Sequence, residues 1–189
     1  MKPLALAAAA ALIAGAAQAN EYASAMQSFL DSQVRTWAED PVLVSAIAAQ
    51  NARTGGLAQS EIDALDLAWQ AEVGAAATPT IDPVMKNAAA DFLRARVAES
   101  GGVITEIFAF DARGLNVAAS DVTSDYWQGD EEKFTETFPM GAAGVHFGEV
   151  EFDESTQTFQ GQISLTITDP ATGEAIGAMT VGVRAEALM

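Results

Sequence analysis

The chain has 189 residues, no cysteine, and 26 acidic side chains against 9 basic ones, a formal net charge of −17. A surface with that balance repels nucleic acid and anionic lipid, so neither is expected as a partner. Zero cysteines exclude disulfides, thiol catalysis and Cys-based metal or iron–sulfur sites.

In chain order, Met1-Lys2-Pro3 opens with a positive charge and Leu4–Ala17 is apolar. Ala17-Gln18-Ala19 follows with the A-x-A pattern of a secretory cleavage site. The apolar run is shorter than the ~20 residues a membrane-spanning helix needs. Residues 1–19 are therefore expected to be a signal peptide, and residues 20–189 a single periplasmic domain that does not insert in the membrane.

Residues 20–102 read as helical. Tyr22, Met26, Phe29, Leu30, Val34 and Trp37 recur at three- and four-residue steps, one face of a long N-terminal helix. That face suits a core, and a homodimer seam along the same helix is its second use. Asp40-Pro41 predicts a cap and a first-turn proline for a second helix, Val42–Gln50. Ser60 with Asp63 predicts a capping box for a third, carrying Ile62, Leu65, Trp69 and Val73. Asp82-Pro83 repeats the cap-plus-proline device for a fourth, running to about Ala98. Arg94 and Arg96 near its end suit the helix dipole and neighbouring acids.

Residues 103–184 read as strands. Val103–Phe110 turns through Asp111-Ala112-Arg113-Gly114 into Leu115–Ser120. His146–Phe152 is a third strand. A fourth alternates cleanly: Phe159, Gly161, Ile163, Leu165 and Ile167 face one way, Gln160, Gln162, Ser164, Thr166 and Thr168 the other. Such alternation places one face on a core and the other against water or a polar layer. Ala175–Val183 closes a five-stranded antiparallel sheet, with the helices gathered before it: an α+β fold.

Between the second and third strands lies Ser120–Phe134, S-D-V-T-S-D-Y-W-Q-G-D-E-E-K-F. Two adjacent aromatics, an amide and several carboxylates cannot form a regular strand, and Gly129 breaks the run. Asp130-Glu131-Glu132 suits the first turn of a short helix. Tyr126 and Trp127 have two uses, to plug the end of a core or to wall a ligand pocket.

The string Thr123-Ser124-Asp125-Tyr126-Trp127-Gln128-Gly129-Asp130-Glu131 resembles the T-S-D-Y-[YW]-Q-x-D-E signature of extracellular Cache (PDC, PAS-like) sensor domains. Val150–Ser155 is similar to that family's strand ending in a D-E-S turn, and Asp169–Gly177 to its closing D-x-x-G-x-x-I-G hairpin. The resemblance covers roughly Val103–Arg184 and implies a PAS-like sheet of strand order 2-1-5-4-3. It further implies a small-molecule sensor, here free-standing, read by a membrane-bound receptor or kinase. Ser120, Asp121, Asp125, Tyr126, Trp127, Gln128, Asp130, Lys133 and Phe134 would line or frame its pocket. In amino-acid-binding members of that family the following helix carries a Trp-Tyr pair after an arginine. Lys133-Phe134 stand there in this chain, with acids before them, against an amino-acid carboxylate clamp. The acids favour a cationic or neutral ligand.

Catalytic signals are missing. His146 is the sole histidine, and no G-x-S-x-G elbow, P-loop or G-x-G-x-x-G follows a strand. Neither a metal nor another cofactor is called for, and the acids of the loop match no EF-hand spacing. The alternative to a sensor is a non-catalytic interaction or scaffold protein that keeps the fold without a ligand.

Overall fold

Thr158–Thr168 and Ala175–Arg184, the two strands of strongest pattern, pair along almost their whole length and form the spine of the sheet. The structure, a computed structural model, describes residues 22–153 and 157–189. The expected signal peptide and most of the D-E-S turn lie outside the described residues. The strands are β1 (Ile104–Asp111), β2 (Asn116–Ala119), β3 (Val145–Phe147), β4 (Glu151–Asp153), β5 (Thr158–Thr168) and β6 (Ala175–Arg184). Their order is β2-β1-β6-β5-β3, all pairs antiparallel, with β4 an additional short partner of β5. The third strand predicted as one run is thus two, interrupted at Gly148–Val150. With β4 set aside, the order is the 2-1-5-4-3 that the resemblance implies.

One face of the sheet carries the main core. Ile163, Leu165 and Ile167 of β5 join Ile107 and Ala109 of β1 and Met179, Val181 and Val183 of β6. Three helices cover them: α1 (Ala23–Ser32), α2 (Pro41–Thr54) and α5 (Ala88–Glu99). The amphipathic stripe is spent in this core, with Met26, Leu30 and Val34 fully buried. It is not one helix, however: α1 ends at Ser32 and a 3-10 turn, Val34–Thr36, continues it.

Local chemistry sets the helix ends. The Asp40 carboxylate accepts from the Val42 N–H at 2.9 Å and Pro41 occupies the first position of α2, as predicted. The third helix, α3 (Gln59–Glu72), starts ahead of the predicted capping box: Glu61 reaches back to the Ala58 N–H at 2.8 Å. The predicted fourth helix divides. Asp82–Met85 forms a single turn, α4, and α5 begins afresh behind Asn87, whose Oδ1 accepts from the Ala90 N–H at 2.8 Å. Asn87 also donates to the Val117 carbonyl at 3.0 Å, tying the break to β2. Arg94 and Arg96 pair within their helix with Asp91 and Glu99, the surface role expected of them.

The second face carries Phe108, Phe110 and Ala178, then a polar strip. Residues 120–144 fold over it, including α6 (Glu132–Thr135) and a 3-10 stretch, Phe138–Ala143, interrupted at Gly141. Phe110, Phe134 and Phe138 form a chain of ring contacts there, 5.9 and 5.4 Å between centroids. Among the described residues no helix is long and apolar enough to cross a membrane.

Candidate functional site

The polar residues of β5 are not simply solvated. Ser164 and Thr180 share a buried hydroxyl hydrogen bond of 2.9 Å across the strand pair. Gln160, nearly fully buried, donates to Glu106 at 3.0 Å and accepts from the Thr105 hydroxyl. Gln162 donates to the same Glu106 carboxylate at 3.4 Å. These contacts fix the two carboxamides as a rigid floor, since a buried amide keeps one orientation when its partners are fixed.

Above that floor, towards the short strands, the cover of the second face stops and leaves a groove of about 510 Å³. Asp130–Lys133 form one wall. The other wall comes from the interrupted edge, His146 and Gly148 on one side and Glu149, Glu151 and Phe152 on the other. The interruption at Gly148–Val150 thus shapes the groove: a continuous strand would carry these side chains past it. Phe152 meets Phe159 edge to face at 5.3 Å, and both rings remain about half exposed. His146 lies 3.7 Å from the Glu132 carboxylate and pairs with it when protonated. Lys133 is held from three sides, 2.8 Å from Glu131, 3.3 Å from the Gln128 side-chain Oε1, and 5.3 Å from the centre of the Phe108 ring. The groove is therefore rich in acceptors, with one lysine already neutralised and two fixed carboxamides.

Of the residues expected at a pocket, Asp130 and Lys133 line this groove, and Gln128 stands behind Lys133. The structure does not bring the others there. Tyr126 stacks on Trp69, 5.3 Å between centroids and 10° from parallel, and lines a separate cleft beside α2. Trp127 donates its indole N–H to the Arg113 carbonyl at 2.9 Å. Ser120 accepts from the Ile107 N–H at 2.9 Å, Asp121 turns back on the Val122 N–H at 2.7 Å, and Asp125 meets Gln70 and Ser124. Phe134 sits between Phe110 and Phe138. Glu149, Glu151 and Phe152 escaped the sequence reading because a broken edge strand has no periodic signal. Gln160 and Gln162 were visible as the polar side of an alternating strand. Among the described residues no three His, Asp or Glu side chains converge as a cation site.

No family model matches the sequence, and no curated protein does. Solved structures of related shape include the sensor domain of the V. cholerae histidine kinase DctB, at 12% identity and a TM-score of 0.44 over 88% of this chain and 53% of that one. Another is the ligand-binding domain of the Campylobacter jejuni chemoreceptor Tlp3 in complex with L-valine, at 12% identity and a TM-score of 0.44 over 88% of this chain and 65% of that one. The chain thus spans between half and two thirds of the length of these structures. The fold rests on the strand order: with β4 aside it is 2-1-5-4-3, helices before the sheet and the aromatic loop between its second and third strands. The chain has the PAS-like α+β fold that its resemblance to Cache sensor domains implies.

Proposed function

We propose that the chain is a small-molecule-binding, non-catalytic sensor-type protein of the periplasm that acts with a separate membrane-bound receptor or kinase. One observation carries this reading. A groove of about 510 Å³ sits where the loop over the sheet meets the sheet edge, with two fixed carboxamides at its floor. Its acceptors suit a neutral or cationic molecule, with amines or hydroxyls directed at Asp130 and the glutamates of the edge. A ligand bridging the Asp130–Lys133 wall and the β3–β5 edge would favour the arrangement in which both are held. A partner that binds this arrangement preferentially would read the occupied state as a population shift. Pairing of two copies along α1 belongs to the same proposal and is read by sedimentation with and without ligand.

The test is a thermal-shift screen with amines, amino acids, small carboxylates, purines and calcium, repeated on refolded protein to remove carried-over ligand. A ligand at about a hundred times its Kd adds about 2.7 kcal/mol, an easily read rise in Tm. Loss of that rise in Asp130→Asn and Gln162→Leu supports the groove. A stabilising ligand unaffected by both substitutions overturns it.

A second reading has its own observation. Tyr126 lies flat on Trp69 and Trp127 bonds the Arg113 carbonyl, so neither ring walls the groove, and the exposed Phe152–Phe159 pair stands beside it. That arrangement favours an interaction protein that keeps the fold without a ligand. Silence across the screen, with retained binding of a partner lost on Phe159→Ser, would establish it.

A further inference from the structure

A second cleft, of about 450 Å³, opens between α2, the 79–87 segment and the β2 edge. Its chemistry is unlike that of the groove. The groove is lined by five carboxylates, Asp130, Glu131, Glu132, Glu149 and Glu151; the cleft is lined by none, and Arg53 is its one charged side chain. Leu65, Pro79, Pro83 and Val117 give it apolar walls, the prolines stiffening one side.

Two donors line the cleft, Tyr126 and Arg53. Tyr126 is nine-tenths buried and lines the cleft, its ring stacked on Trp69. Burial first, and the Asp111 carboxylate second, push this phenol up to about 12, so it stays a neutral O–H donor under ordinary conditions. Arg53 gives one N–H to the Ala49 carbonyl at 3.0 Å but has no carboxylate partner among the described residues. Arg113 and Arg184 also lack one among the described residues, but of the three only Arg53 lines this cleft. The Asp111 carboxylate does not compete for either donor. Gln50, Thr54 and the backbone N–H groups of Arg113 and Leu115 satisfy it at 2.6–3.1 Å.

We propose that this cleft binds a small monocarboxylate with an apolar body. The guanidinium of Arg53 and the hydroxyl of Tyr126 hold the carboxylate, and the hydrocarbon lies against Leu65, Pro79, Pro83 and Val117. The site shares no lining residue with the groove and selects the opposite charge.

The test is an amide-resolved NMR titration of the labelled protein with isovalerate and benzoate, and with isoamylamine and benzylamine as size-matched cations. The acids should give saturable shifts at Arg53, Thr80, Val117 and Tyr126, and the amines should not. Tyr126→Phe keeps the ring stacked on Trp69 and removes only the donor; it should weaken the acids about three- to tenfold. Ala49→Phe, on an exposed helical position, should abolish binding by filling the cleft, with the thermal melt confirming that the variant folds. Acids and amines binding alike, no saturable shift at millimolar acid, or full affinity in Tyr126→Phe would each overturn the proposal. Shifts confined to Asp130 and Gln162 would overturn it too, while leaving the groove reading in place.

Discussion

Gly114 and Gly129 decide how closely the aromatic loop approaches the β1–β2 hairpin. Gly114 has φ +78°, and a Cβ there would sit 2.6 Å from the Gly129 Cα; a Cβ on Gly129 would enter the Trp127 indole. Gly114→Ala therefore combines left-handed backbone strain with a backbone collision that no side-chain rotation relieves. It should cost at least about 1–3 kcal/mol in a denaturant melt, and the Trp127 fluorescence should shift as its bond to Arg113 is lost. Glu72 offers a pH test at the same scale. Burial works to raise its carboxyl, but hydrogen bonds from the Ile81 N–H and from the Thr80 hydroxyl and N–H outweigh it and hold the group below its ordinary 4.5. A lowered folded value means the stabilisation is complete above 4.5 and is lost as pH falls through the folded value. Glu72→Gln should flatten that part of the acid limb of stability, and an unchanged limb in the variant would refute the assignment.

Elements were legible where one local device fixed them and illegible where two devices competed. Asp40-Pro41 gave the start of α2 because the carboxylate cap and the proline at the first helical position agree. Asp82-Pro83 offers the same pair, yet Asp82 does not cap: it lies inside the turn Asp82–Met85 with its carboxylate taken by the Thr78 hydroxyl and Lys86, and Asn87 captures the next helix with its own carboxamide. The Asn87 side chain donates to the carbonyls of Pro83, Val84 and Val117 while accepting from Ala90, so it both ends one helix and starts another. Nothing in the local sequence ranks an asparagine above a continuing helical pattern; the contact with Val117, thirty residues on, does. Asn87→Ala should lose about 1–2 kcal/mol, read as a lower denaturant midpoint with an unchanged slope. The groove shows the same division. Its floor was visible in the alternation of β5, but its outer wall depends on the break at Gly148–Val150, which only pairing with β5 reveals.

At the scale of the whole molecule, charge acts against compactness. The chain carries a formal −17, and the cations that remain are largely spent in short-range pairs: Arg35 with Asp31, Lys86 with Asp82, Arg94 with Asp91, Arg96 with Glu99 and Lys133 with Glu131. Four of these pairs are surface contacts between residues three or four apart in sequence, and each contributes little. The unpaired acids repel one another over longer distances, and folding brings them closer than they lie in the open chain. Salt separates the two effects because it screens long-range repulsion far more than contact pairs. Raising NaCl from about 0.01 M to about 1 M shortens the Debye length from about 30 Å to about 3 Å. Tm should therefore rise with NaCl, steeply at first and then level once the repulsion is screened. A surface whose pairs mattered more than its net charge would give the opposite slope. The same titration bears on the two proposed binding regions: in the acidic groove, affinity for a cation should fall with salt, and at Arg53 affinity for a carboxylate should fall less, since the surrounding field opposes the anion and salt weakens that field too. A cation site and an anion site on one acidic chain would thus be told apart by their salt slopes alone.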